Sequence, residues 1–105
     1  MKLITKEIAK KLSPLGDGSV ENKPYLKLFN PMGSATWLIS EFDGEDLMFG
    51  LCDLGMGCPE LGYVSLSEVK SIKLPLGLGI ERDIYWKPSK SLGAYADDAR
   101  AKGGI

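Results

Sequence analysis

The chain has 105 residues, 44% hydrophobic and 26% charged, the balance of an ordinary globular protein, and its size fits one domain over residues 1–105. A domain of this length buries roughly two-thirds of its unfolded surface, so it needs no metal or disulfide staple. The absence of histidine excludes Ser-His-Asp and Cys-His triads, histidine general bases and every His-containing zinc site.

Residues 4–15 predict a short helix capped by Thr5, with an apolar stripe of Ile4, Ile8, Leu12 and Leu15. Glu7 sits in its first turn and Lys10 and Lys11 in its last, as the helix dipole favours. Pro14 and Gly16-Asp17-Gly18 end it, and residues 16–23 read as a polar loop. Tyr25–Phe29 alternates with period two and predicts a strand; Asn30-Pro-Met-Gly33 is a turn. Ala35–Phe42 predicts a second strand, with Trp37, Ile39 and Glu41 on one face and Thr36, Leu38, Ser40 and Phe42 on the other. Asp43–Asp46 is a hairpin connection.

Leu47–Leu54 is apolar on both faces, the pattern of a central strand, with Asp53 on the face of Leu47, Phe49 and Leu51. After a glycine-rich loop, Leu61–Ser65 returns as a strand. Ser65 and Glu68 fit a capping box for a short helix over 66–72. Leu74–Ile80 predicts a packed loop, because Pro75, Gly77 and Gly79 interrupt it. Asp83–Trp86 predicts a last strand. Ser91 caps a C-terminal helix with an inner stripe of Leu92, Tyr95, Ala96 and Ala99, and the tail after it is expected to fray. The sum is an α+β fold: a mostly antiparallel sheet of about five strands, with N- and C-terminal helices and a short inserted helix.

Charge is unevenly spread beneath a net −1. Residues 1–30 carry +3 and residues 70–105 carry +3, whereas 31–69 hold seven acids and no Lys or Arg. That acidic middle reads either as a solvated face paired with the basic helices or as a surface for a cationic partner or a metal ion. Cys52 and Cys58 enclose too short a loop for a disulfide framework and are expected as buried free thiols. Their spacing also fails as a zinc knuckle. Gly55-Met-Gly-Cys-Pro-Glu60 has glycines like a phosphate loop but no following Lys-Ser/Thr pair, and Glu60 would repel phosphate. No cofactor or metal is expected.

The remaining candidates are charged residues at strand ends and in loops: Glu41, Asp53, Glu60, Glu81, Arg82 and Asp83. Paired carboxylates among them would serve acid–base work or hold Mg²⁺; the alternative is a structural ion pair to Arg82. Six lysines before residue 30, with Tyr25 and Phe29, offer a nucleic-acid-binding reading, which the pI near 5.4 opposes. No apolar run nears the ~20 residues that cross a bilayer, and Met1–Glu7 lacks the long apolar stretch of a signal peptide, so a cytoplasmic location without membrane association is expected.

Pro59-Glu-Leu-Gly-Tyr-Val-Ser-Leu-Ser-Glu68 and Gly77-Leu-Gly-Ile-Glu-Arg-Asp-Ile-Tyr-Trp86, with Met1–Glu7 and Thr36-Trp-Leu38, resemble the bacterial family called domain of unknown function 2958. The resemblance spans nearly the whole chain and brings no activity and no site residues. It implies a setting on plasmids, phages and integrated elements. The resulting expectation is a small accessory protein of a mobile element, a non-enzymatic interaction module whose acidic surface engages a basic surface on a host or element-encoded protein, including nucleic-acid-binding host defence proteins. The alternatives are a carboxylate-dependent, metal-assisted hydrolase and a nucleic-acid-binding protein.

Overall fold

A computed structural model describes residues 2–16 and 18–105. Asp17, in the polar loop expected over 16–23, lies outside the described residues. Five strands, β1 (Leu26–Phe29), β2 (Thr36–Phe42), β3 (Leu47–Asp53), β4 (Glu60–Ser65) and β5 (Glu81–Arg82), form one antiparallel sheet in the order β4-β3-β2-β1-β5. Helix α1 (Lys6–Lys11) precedes the sheet, α2 (Leu66–Ser71) follows β4, and α3 (Leu92–Lys102) closes the chain.

The caps read from sequence are in place. Thr5, Ser65 and Ser91 accept hydrogen bonds from the amides of Ile8, Glu68 and Ala94, each satisfying one of the donors a helix start leaves without a partner. Two apolar layers cover the sheet. On one face Leu26, Leu28, Trp37, Ile39 and Met48 pack with Leu3, Leu12, Leu66, Val69 and Ile80. On the other, Leu38, Phe49 and Leu51 pack with Leu92, Ala96 and Ala99 of α3. β3 is thus buried on both faces, as its double-sided apolar pattern requires. Leu28, Leu38, Ile39, Met48, Leu51 and Leu92 are fully buried, each worth roughly 1.5–3 kcal/mol of transfer free energy.

The alternation expected along β2 breaks at Ser40. Ile39 pairs with Gly50 and Glu41 with Phe49, so Ser40 has no partner opposite it. This β-bulge inverts the faces beyond it. Glu41, expected beside Trp37 and Ile39, turns to the Phe49 side, and Phe42 joins the Trp37 cluster instead. The bulge also frees Ser40 O and Phe42 N–H to bond Ser13, which bridges alongside Glu41 and ties the end of α1 to the sheet.

Three further expectations are corrected. The last strand is Glu81–Arg82, not Asp83–Trp86: Asp83 turns the chain by accepting Tyr85 N–H through Oδ1, and Trp86 tucks its indole N–H onto Pro24 O. Residues 74–80 are less packed than expected. They hold a 3₁₀ turn at Pro75–Gly77, and Leu76 is 91% exposed at φ 64°, while Ile80 enters the core. The tail does not fray: α3 runs to Lys102, Gly103 adopts the left-handed cap that glycine tolerates, Gly104 N–H bonds Ala99 O, and Ile105 N–H donates to Asp53 Oδ2.

Two strand glycines paired across β3 and β4 differ sharply. A Cβ on Gly50 would lie 2.0 Å from Leu38 O, a backbone atom that cannot give way, whereas a Cβ on Gly62 would meet nothing within 4 Å. Gly50→Ala is expected to destabilise the fold by about 2–4 kcal/mol in urea unfolding. Gly62→Ala is expected to be neutral or stabilising by up to about 1 kcal/mol.

Candidate functional site

The sheet order decides which candidate residues can act together. Glu60 opens β4 at one edge; Glu81 and Arg82 form β5 at the other, followed by Asp83. Four inter-strand steps separate those edges, about 19 Å at the usual ~4.8 Å spacing. Glu60 therefore does not meet Arg82, and no single substrate group touches both. Glu41 is 1% exposed on the α3 side, where Oε1 accepts the Gly16 amide at 2.9 Å. Asp53, also buried, accepts the amides of Gly55 and Ile105, each at 2.8 Å. These two carboxylates fasten chain segments to the sheet.

Only Glu81, Arg82 and Asp83 are brought together. The register sets Arg82 opposite Leu28 and Glu81 opposite Phe29, so Arg82 faces away from its two acidic neighbours. Its Nη1 donates to Lys2 O and holds the N-terminal segment against β5. Beside Glu81 and Asp83 opens a groove of about 540 Å³, floored by Lys27, Phe29 and Thr36 and walled by Tyr85. Lys27 Nζ lies 3.9 Å from Asp83 and 5.1 Å above the Trp86 ring. The cation is thus held by an ion pair and a cation–π contact. Sequence reasoning missed Lys27 and Tyr85 as members of one groove, and Trp86 as the ring beneath the lysine, because the β1–β5 pairing brings residues 27 and 81–86 side by side. Of the groove's charged groups, Lys27 and Asp83 engage each other.

The acidic stretch resolves into two classes. Asp43 Oδ1 accepts the amides of Glu45, Asp46 and Leu47 at 2.8, 2.8 and 3.1 Å. Asp46 accepts Ser65 Oγ–H at 2.5 Å and Ser67 N–H at 2.7 Å, locking the hairpin to the start of α2. Bonds to the Glu45 and Asp46 amides hold the Asp43 carboxyl below its ordinary value, and bonds from Ser65 and Ser67 do the same for Asp46. Four of the seven acids, Glu41, Asp43, Asp46 and Asp53, thus answer N–H and O–H donors of the fold itself. The ion pairs Lys27–Asp83, Lys90–Asp98 and Arg100–Asp97 all join residues outside the stretch. Glu45, Glu60 and Glu68 are exposed.

Both cysteines were expected to be buried. Cys52 is half-buried, and Cys58 is exposed in the turn that brings the chain back to β4. They line a small hollow of about 190 Å³ with Leu54, Met56 and Glu60. Burial, with a smaller contribution from the Glu60 charge, pushes the Cys52 thiol up to about 11. A thiol so raised is a poor nucleophile and a poor metal ligand at neutral pH. Among the described residues no group of three or more Cys, Asp or Glu side chains is arranged to hold a metal ion. No helix among them is long and apolar enough to cross a membrane.

Sheet, helices and groove together define an α+β domain with two unlike edges and a ligand-sized hollow on one of them. The chain belongs to the family described as protein of unknown function (DUF2958), whose model matches residues 2–105. No curated protein and no solved structure matches it.

Two outcomes follow from these environments. Asp43 and Asp46 have folded-state values below the ordinary 3.8, so the stability they contribute is full above that value and is lost as pH falls through the folded values. In acid titration the doubly substituted Asp43→Ala/Asp46→Ala protein is expected to lose less stability between pH 5 and pH 2 than the unsubstituted chain, with a lower Tm at pH 7. Iodoacetamide at pH 8 is expected to label Cys58 first, and Cys58→Ser to remove the fast phase, since about one Cys52 in a thousand is then thiolate.

Proposed function

We propose that this protein is a non-enzymatic interaction module that presents its β4 side, with its exposed acids, to a basic partner. The observation that carries the reading is the charge pattern around β4. Glu45, Glu60 and Glu68 project into solvent, and no Lys or Arg occurs between Lys27 and Lys70 to neutralise them. Such a field accelerates encounter with a cationic surface and disfavours nucleic acid on the same side. The strand order removes Glu60 from any carboxylate pair with Glu81 or Asp83, and Asp83 is paired with Lys27, which favours binding over carboxylate-pair catalysis. We place the protein as an accessory factor of a mobile genetic element. Its target class is a host protein whose basic surface otherwise holds nucleic acid, as in host defence, because acids and phosphates compete for the same lysines and arginines.

Fluorescence anisotropy with a labelled 20-residue lysine-rich peptide tests the acidic-surface reading. Raising NaCl from ~0.1 to ~0.5 M is expected to weaken binding at least tenfold, since the Debye length falls to roughly 4 Å. Glu45→Lys/Glu60→Lys/Glu68→Lys is expected to abolish binding and to keep a cooperative unfolding transition, each site being exposed. Unchanged affinity in that variant would exclude this surface.

A further inference from the structure

The two edges of the sheet are not equivalent. β5 is two residues long, whereas β4 runs six residues, Glu60–Ser65, without a proline, a lysine or a bulge. Leu66 N–H bonds Asp46 O at 2.8 Å. In an antiparallel ladder, hydrogen-bonded pairs alternate. The register therefore makes Val64–Met48, Gly62–Gly50 and Glu60–Cys52 the bonded pairs, and turns the N–H and C=O groups of Leu61 and Tyr63 away from β3. Among the described residues no hydrogen bond takes up these outward backbone groups. The Tyr63 side chain is 51% exposed beside them. Gly62, at the centre of the edge, has an ordinary φ and open space at its Cβ position, so neither backbone nor packing within the chain calls for glycine there. A bare strand position of this kind leaves room for another backbone or ligand to come close.

We propose that β4 binds an extended, lysine- or arginine-bearing segment of a partner protein as a sixth strand. The backbone of Leu61 and Tyr63 supplies the ladder, and the acids at the two ends of the strand select basic side chains. This deepens the acidic-surface reading and rests on it. Charge decides the occupant. Glu60 stands at one end of β4, and Asp46 and Glu68 stand at the other, where Ser65 contacts both Asp46 and the Glu68 amide. A second copy of this chain added antiparallel would bring Glu60 against the partner copy's Asp46 and Glu68, acid against acid. A basic strand meets acids at both ends. Strand addition gives affinity through the main chain and specificity through alternate side chains.

The test uses an eight-residue peptide alternating lysine and threonine, and a peptoid of equal length and charge, which has no backbone N–H. Affinity is read by titration, and backbone exchange of the full chain by NMR. The peptide is expected to bind at least tenfold more tightly than the peptoid. At saturation it is expected to slow exchange of the Leu61 and Tyr63 amides at least tenfold, while Gly62 and Val64 are protected in free and bound protein alike. Equal affinity for both probes, with Leu61 and Tyr63 still exchanging fast, overturns strand addition and leaves the acidic surface standing. Binding of neither probe overturns both readings. Protection of Leu61 and Tyr63 in the free protein that grows with its own concentration identifies a second copy as the occupant and overturns the basic segment.

Discussion

The structure turns on the bulge at Ser40. At that point β2 comes so close to β3 that only a hydrogen atom fits on Gly50, whose missing Cβ would lie 2.0 Å from Leu38 O. A local crossing this tight increases the twist and shifts the register by one residue. Three consequences follow from the same shift. Glu41 swings inward and receives the Gly16 amide; Phe42 is delivered to the core that α1 and α2 cover; and Ser13 finds backbone partners at Ser40 and Phe42. The end of α1 and the residues up to Gly16 are therefore tied to the sheet at a defect in β2, through Ser13 and Gly16.

Local chemistry was readable because it acts over three or four residues. Thr5, Ser65 and Ser91 each cap the next turn, and Asp43 closes its own hairpin, so their roles are written beside them in the chain. The apolar run of β3 was readable for a similar reason: a strand covered on both faces has no polar side to show. What escaped depends on residues far apart. The bulge lies beside the close approach of Leu38 to Gly50, and β5 is placed by its pairing with Leu28 and Phe29. Asp53 supplied the fixed end of a tail that looked loose, because its acceptor for Ile105 lies 52 residues earlier. Glu60 and Arg82 were plausible partners by composition alone; a strand order that puts them on opposite edges separates them.

The acidic middle shows why a charge count is a poor guide to a surface. Seven carboxylates without a lysine among them suggest an unbroken negative face. Several of these groups instead accept amides that turns and strand ends leave unpaired, and a carboxylate is the strongest acceptor available for that work. Asp46 joins the β2–β3 hairpin to the first turn of α2, so part of the negative charge is structural. Among the described residues, the acids of this middle stretch whose side chains accept no such hydrogen bond are Glu45, Glu60 and Glu68, all exposed and concentrated around one strand.

That concentration bears on what an exposed edge can pair with. A six-residue strand with outward N–H and C=O groups is a template for any other strand, including its own copy. Lysine, proline or a bulge would blunt it, and β4 has none of them. Acids at both ends leave the backbone groups available but attach a charge condition to their use, because like charges brought opposite one another across a strand pair are destabilising. The same carboxylates that disfavour self-pairing favour a basic strand. In the proposed strand addition, disfavoured self-pairing and selection of a basic segment reduce to one electrostatic arrangement.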